Sequence, residues 1–227
     1  MNEYDSNRIY DSVKKIGFKK TDNYELIKKS KQIGELLSRE EGKPLNEGIG
    51  EVVRAGQQFQ YYGSECLRLY GEKIPSIRPG FQVEISREPI GIIGIISPWN
   101  FQIAIPAWKA APAMMCGNAV ILKPASLTIG SAIALTEIIA KQDIPAGLFN
   151  LVLGSGSNIG HKIATHPEIA SITFTGSVEV GKQLYQNSSS SMKKMQMEMG
   201  SKNPLVVMDD ADLKTAITCA VNGAYGG

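Results

Sequence analysis

The stretch from Pro89 to Ser126 constrains the fold more than any other: PIGIIGIISPWNFQIAIPAWKAAPAMMCGNAVILKPAS. Its first apolar run, Ile90 to Ile96, is β-branched and broken only by Gly91 and Gly94. That length suits a buried strand and is far too short to cross a membrane. The run stops at Ser97-Pro98-Trp99-Asn100, where Pro98 cannot donate to a ladder and turns the chain. A second apolar segment, Ile103 to Cys116, predicts a mostly buried helix, with Pro106 tolerated near its first turn. Gly117-Asn118 leads into a second short strand, Ala119 to Leu122, which ends at Lys123-Pro124-Ala125-Ser126. Strand, helix and strand make one βαβ unit with polar groups at both strand exits. Ligands of open α/β sheets gather at the carboxyl ends of the strands, which marks Asn100 and Lys123 as the first candidate functional residues.

Upstream, residues 1 to 34 are rich in lysine (Lys14, Lys15, Lys19, Lys20, Lys28, Lys29, Lys31) and only loosely amphipathic, as in a solvated helical surface. From Ile33 the apolar residues Ile33, Leu36 and Leu37 recur at helical spacing until Gly42 and Pro44. A second helix follows, with Val52, Val53, Phe59, Tyr62, Cys66, Leu67 and Leu69 as expected core, and the Tyr61-Tyr62 pair as packing. Two alternating segments, Lys73 to Ile77 and Phe81 to Arg87, flank Arg78-Pro79-Gly80 and predict a projecting hairpin.

Downstream, Ser126 or Thr128 is placed to cap a helix carrying Ile129, Ala132, Ile133, Leu135, Ile138 and Ile139. Phe149 to Leu153 predicts a strand, followed at once by Gly154-Ser155-Gly156-Ser157-Asn158-Ile159-Gly160. The spacing G-x-G-x-x-x-G departs from the dinucleotide fingerprint, so this loop reads as a tight strand-to-helix turn. His161 and His166 lie five residues apart, off register for a helical metal pair. Ala170 to Phe174 predicts the next strand and Val178 to about Tyr185 a helix. Between them, Gly176 permits close approach of a ligand, and Ser177 is either an ordinary N-cap or an anion contact. Asn187 to Ser191 reads as a polar linker, Met192 to Met199 and Leu205 to Met208 as strands, and Leu213 to Val221 as a helix. Strands and helices alternating at this rhythm predict an α/β fold with a doubly wound, mostly parallel sheet.

At 227 residues, with 43% hydrophobic and 20% charged residues, the chain has material for one or two globular domains. A net charge of +2 and the absence of a basic-aromatic stripe offer nothing to nucleic acid. The N-terminal residues lack the apolar core of a signal peptide, so no membrane partner is expected. Cys66, Cys116 and Cys219 are odd in number and widely spaced, as in structural thiols of a reducing cytoplasm, and no metal site is expected.

Four motifs, PWN at Pro98 to Asn100, KPAS at Lys123 to Ser126, FTGSVEVG at Phe174 to Gly181 and EMGSKNP at Glu198 to Pro204, resemble those of the NAD(P)-dependent aldehyde dehydrogenases. Their order holds over about two thirds of the chain. The resemblance implies a Rossmann-like dinucleotide-binding domain over 89–227, preceded by N-terminal helices over 1–70. It assigns the hairpin, 71–88, to a small oligomerisation domain that makes the family's members homo-oligomers. It implies that Asn100 and Glu198 are catalytic. It further implies cofactor contacts from Ser97, Pro98, Trp99, Lys123, Pro124, Ala125, Ser126, Gly156, Gly160, Phe174, Thr175, Gly176, Ser177, Val180, Met199 and Gly200.

The chemistry explains these types. Oxidation of an aldehyde by a nicotinamide needs a donor for the oxyanion of a tetrahedral adduct, which the Asn100 amide can supply. Hydrolysis needs a base for water, and Glu198 stands near a strand exit beside largely apolar neighbours. Lys123 suits the adenosine ribose or a 2′-phosphate. Many NAD-preferring relatives carry an acid three residues beyond the matching lysine. Here Ser126 stands there, so both NADP and NAD stay open. Ser201 replaces a second glycine common in the family. The family's nucleophilic cysteine follows a glycine-rich stretch like Gly223 to Gly227, and Cys219 precedes that stretch. The expectation is therefore the front part of an aldehyde-oxidising enzyme that acts on a small aldehyde, some segments resembling those of semialdehyde-oxidising members. The alternative is a dinucleotide-binding chain without turnover.

Overall fold

The computed structural model describes residues 25–225, and the lysine-rich segment before Tyr24 lies outside them. After a single turn, Glu25–Lys28, come α1 (Ser30–Glu41) and α2 (Leu45–Glu65). Gly42 ends α1 in the left-handed conformation, φ 93°, and its N–H bonds Ser38, the expected glycine stop. The hairpin is present as β1 (Glu72–Pro75) and β2 (Gln82–Ile85), antiparallel and exposed along both strands. Then follow β3 (Ile92–Ile96), α3 (Ala104–Met115), β4 (Ala119–Lys123), α4 (Ile129–Ala140) and β5 (Phe149–Leu151). A single π turn, Gly156–Gly160, leads into α5 (His161–Thr165), β6 (Ile169–Gly176), α6 (Val178–Ser188), β7 (Lys194–Met199) and α7 (Leu213–Tyr225).

The five later strands form one parallel sheet in the order β5-β4-β3-β6-β7. Connections run outward from β3 to β4 and β5, then return to its other side at β6. The strand order therefore reverses between β3 and β6, the position where doubly wound sheets hold ligands. Side-chain alternation divides the core in two. Ile95, Val120 and Leu122 pack under α1 to α4, whereas Ile96, Ile172 and Phe174 pack under α5 and α6. Fully buried residues such as Ile95 contribute ~2 kcal/mol each from removal of apolar surface. Gly94 faces α5, and a Cβ there would lie 2.5 Å from Ile163 Cγ2, so the interior glycine is what lets that helix pack.

Several expectations need correction. Leu205 to Met208 forms no strand, and all four side chains are exposed. A β-branched run needs a neighbouring strand to pair with, and the described residues provide none. Leu67 and Leu69 are exposed rather than core. The segment read as a linker from Asn187 is the end of α6 followed by a 3-10 turn, Ser189–Ser191. Neither Ser126 nor Thr128 caps α4. That cap comes from α1, where the Glu40 carboxylate accepts from Gly130 N at 2.7 Å and Ser131 N at 3.0 Å. No helix among the described residues is long and apolar enough to cross a membrane.

Candidate active site

The βαβ unit brings the Pro98 to Asn100 turn and the Lys123 to Ser126 turn to adjacent strand ends, because Ile96 pairs with Lys123 across β3 and β4. On the other side Ile96 pairs with Phe174, so the Thr175-Gly176-Ser177 exit lies next in line. Thr175 pairs with Glu198 and Gly176 with Met199. Gly200 N donates to Gly176 O at 3.3 Å, which keeps Met199 and Gly200 beside the β6 exit. Parallel pairing thus gathers the four sequence motifs at one edge of the sheet. Gly156 and Gly160 lie beyond β5, the outermost strand on that side.

Within this edge the groups differ. Trp99 and Asn100 are exposed at the β3 exit, whereas Ser97 is buried and its Oγ has no hydrogen-bond partner among the described residues. Pro98 is half-buried between them. The Lys123 side chain is buried, and its ammonium donates to the carbonyl of Pro124 at 2.8 Å. No carboxylate pairs with it among the described residues, and burial holds its pKa below the usual lysine range. Pro124 is buried, Ala125 half-buried and Ser126 exposed.

Ser177 caps α6, its Oγ accepting from Val180 N at 3.3 Å, so the structural role expected of it is realised. Gly176 has an internal reason for being small: a Cβ there would lie 2.6 Å from Cζ of buried Phe174. The glycine loop after β5 is the tight turn expected. Gly154 at φ 152° permits it, and Ser155 Oγ accepts from Asn158 N at 3.2 Å.

Glu198 has polar partners beside its apolar neighbours Ile93, Trp108 and Pro112. Its side chain is 49% exposed, Thr175 Oγ1 donates to it at 2.8 Å, and Lys109 Nζ lies 3.6 Å away. Lys109 stands alone as a charge in the otherwise apolar α3. A lone charge inside AIPAWKAAPAMM was the available signal, since lysine is almost never buried without partners. Its ammonium also donates to Thr173 Oγ1 at 2.8 Å and Gln196 Oε1 at 3.0 Å. Burial lowers its pKa, and the Glu198 charge acts in the opposite direction. Lys109, Glu198, Thr173, Gln196, Trp108 and Cys116 line an open cavity of about 390 Å³ between α3 and the β6–β7 face.

A buried carboxylate supports the start of α3. Glu51 Oε1 accepts from Ile103 N at 2.8 Å and Ala104 N at 3.1 Å, capping α3 from α2. Its other oxygen accepts from Lys43 Nζ at 2.8 Å. Among the described residues no cysteine forms a disulfide. Cys66 is buried, and Cys116 is half-buried with its thiol pushed up by burial, against the pull of Arg87. Cys219 is exposed on α7. No group of three His, Cys, Asp or Glu among the described residues is arranged to hold a metal ion.

A model of the aldehyde dehydrogenase family matches residues 20–227. The chain belongs to the aldehyde dehydrogenase family. It is 42% identical over 194 residues to the α-ketoglutaric semialdehyde dehydrogenase of Bacillus subtilis, covering 86% of this chain and 40% of the relative. It is 39% identical over 193 residues to the 2,5-dioxopentanoate dehydrogenase of Saccharolobus solfataricus, covering 84% of this chain and 40% of the relative. Among solved structures, betaine aldehyde dehydrogenase from Staphylococcus aureus in complex with NAD+ aligns with a TM-score of 0.88 at 30% identity, over 96% of this chain and 42% of that one. An aldehyde dehydrogenase from Brucella melitensis biovar abortus aligns with a TM-score of 0.87 at 33% identity, over 96% of this chain and 43% of that one. The chain thus spans about two fifths of the length of the curated relatives it matches.

Proposed function

We propose that this chain supplies the dinucleotide cradle and two catalytic groups for oxidation of an aldehyde to a carboxylic acid with NAD+ or NADP+. The observation that carries the reading is the convergence of four strand ends on one sheet edge, bearing Asn100, Lys123, Ser177 and Glu198. The residues there fit such a ligand. Among the described residues, Ser97 Oγ is buried without a hydrogen-bond partner and the Lys123 ammonium donates to the adjacent carbonyl alone. A bound nicotinamide dinucleotide would supply the hydride acceptor.

Lys123 would grip the adenosine ribose or a 2′-phosphate, with Pro124, Ala125 and Ser126 shaping the turn. Gly156 and Gly160 would line the adenosine side. Gly176 and Ser177, at the start of α6, would approach a phosphate, with Phe174, Thr175 and Val180 lining that approach. Ser97, Pro98, Trp99, Met199 and Gly200 would flank the nicotinamide end. The Asn100 amide would donate to the oxyanion, a contribution of ~3 kcal/mol for one preorganised donor. Glu198, held by Thr175 and Lys109, would accept the proton of the hydrolytic water. The substrate class favoured is a small semialdehyde, as the names of the relatives from Bacillus and Saccharolobus indicate for those proteins. The exposed hairpin, 71–88, supports a role in assembly as a unit separate from 1–70 and 89–227.

The thiols favour a second reading, a dinucleotide-binding chain without turnover of its own. Burial holds the Cys116 thiol in its protonated form, and Cys66 is buried. Titration with NAD+ and NADP+, followed by Trp fluorescence and thermal stability, tests the shared part of both readings. Saturable binding raises stability by mass action. No response to either dinucleotide would overturn both. Aldehyde-dependent formation of reduced cofactor, abolished by a thiol blocker, would reject the second.

A further inference from the structure

Lys43 lies between α1 and α2, 57 residues before Asn100 in sequence, yet its ammonium is the junction of the Asn100 turn. It donates to the Asn100 carbonyl at 2.8 Å and to Glu51 Oε2 at 2.8 Å, pairs with Glu41 at 3.2 Å, and stands 4.2 Å from the centre of the Phe101 ring. Its side chain is 6% exposed and that of Glu51 is 2% exposed. An ion pair removed this far from water is strong only when its remaining donors and acceptors are satisfied. Here they are. Glu51 uses its second oxygen for Ile103 N and Ala104 N, so one carboxylate fixes both the start of α3 and the lysine that holds the turn.

We propose that Lys43 is the positioning residue of the Asn100 turn, and that Glu51 holds it in place. Residues 97–100 belong to neither strand nor helix, so their own backbone bonding does not determine where Asn100 points. A charged donor on the Asn100 carbonyl removes that freedom just before the side chain is used. Gly42, in its left-handed conformation, turns the chain out of α1 immediately ahead of this lysine. The functional meaning rests on the reading of Asn100 as the oxyanion donor; the structural assignment does not.

The test uses Trp99, next to Asn100 and half exposed, as reporter. Trp108→Phe removes the other of the two tryptophans. In this background, ligand-free Lys43→Ala should shift Trp99 emission to the red and steepen acrylamide quenching, and Lys43→Arg should restore both. Far-UV circular dichroism checks that the variants are folded. Should Lys43→Ala not fold, the doubly neutral Lys43→Met/Glu51→Gln keeps an acceptor for Ile103 and Ala104 and an apolar stem over Phe101, while removing the grip on Asn100. It should give the same red shift. Unchanged Trp99 signals in the folded variants, or failure of arginine to restore them, overturn the assignment. A dinucleotide titration of the parent protein separates the two questions: absence of binding there rejects the cofactor reading and leaves the Trp99 comparison standing.

Discussion

The Lys109 ammonium lies 3.6 Å from Glu198 Oε2, joining the buried helix α3 to the exposed strand β7 at the edge of the sheet. Burial favours the neutral amine, so between its lowered folded-state pKa and the ordinary 10.5 the unfolded chain binds more protons than the fold. Stability therefore rises with pH through that window. Glu198 opposes the depression, so Glu198→Gln should widen the window and steepen the rise, and Lys109→Met should flatten it. Because the glutamate is half exposed, the cost of Glu198→Gln at neutral pH should be only ~1 kcal/mol. Urea unfolding between pH 7 and 10.5 measures all three. Equal slopes would refute the coupling.

The Glu40 cap is tested by its removal. Its carboxylate serves Gly130 N, Ser131 N and Ser131 Oγ across the α1–α4 contact. Glu40→Ala should cost about 2 kcal/mol, the upper range for losing a cap, because Thr128 Oγ1 is buried, has no partner among the described residues and is not engaged in capping. Glu40→Gln, which keeps one acceptor, should lose about half of that. A cost within ~0.5 kcal/mol for Glu40→Ala would show that α4 finds another cap.

Gly181 faces the methionines of β7. A Cβ there would lie 2.4 Å from Met199 Sδ and 3.2 Å from Met197 Cε. Gly181→Ala should therefore lose about 1 kcal/mol, overpacking outweighing the gain in helix propensity. In a Met199→Ala background only the 3.2 Å approach to the flexible Met197 Cε remains, and the same substitution should become neutral or stabilising, since alanine is the better helix former by ~1 kcal/mol. A double-mutant cycle reads the reversal. A neutral or stabilising effect in both backgrounds would mean that Met199 simply moves aside, and a loss in both that the cost lies elsewhere.

The parallel sheet and its helices were legible because periodicity follows burial, and Ile95 and Ile96 face opposite cores in consecutive positions. The site edge was legible because its motifs sit on strand exits, which parallel pairing aligns. What could not be read were contacts between segments far apart in sequence. Glu40 reaches 90 residues to Gly130, and Glu51 reaches 52 to Ile103. Locally these glutamates look like solvated helix residues, and nothing in their spacing announces a buried carboxylate. The run Leu205 to Met208 failed in the opposite way: its propensity is that of a strand, but a strand also needs a partner.

Ser126 carries the final prediction. It is exposed three residues after a lysine that no carboxylate neutralises among the described residues. In the proposed cofactor pose the ribose 2′ position lies against this turn. Ser126→Glu then places a like charge beside a 2′-phosphate, and at an exposed position a repulsion of ~1.4 kcal/mol corresponds to a tenfold loss of NADP+ affinity. NAD+ affinity should hold or rise, because the carboxylate can accept from the ribose hydroxyls. The discrimination should shrink as ionic strength increases, since the site is open to solvent. Titrating both cofactors against parent and variant at low and high salt decides the matter. Equal weakening of both cofactors would place the 2′ position elsewhere and detach Ser126 from cofactor choice.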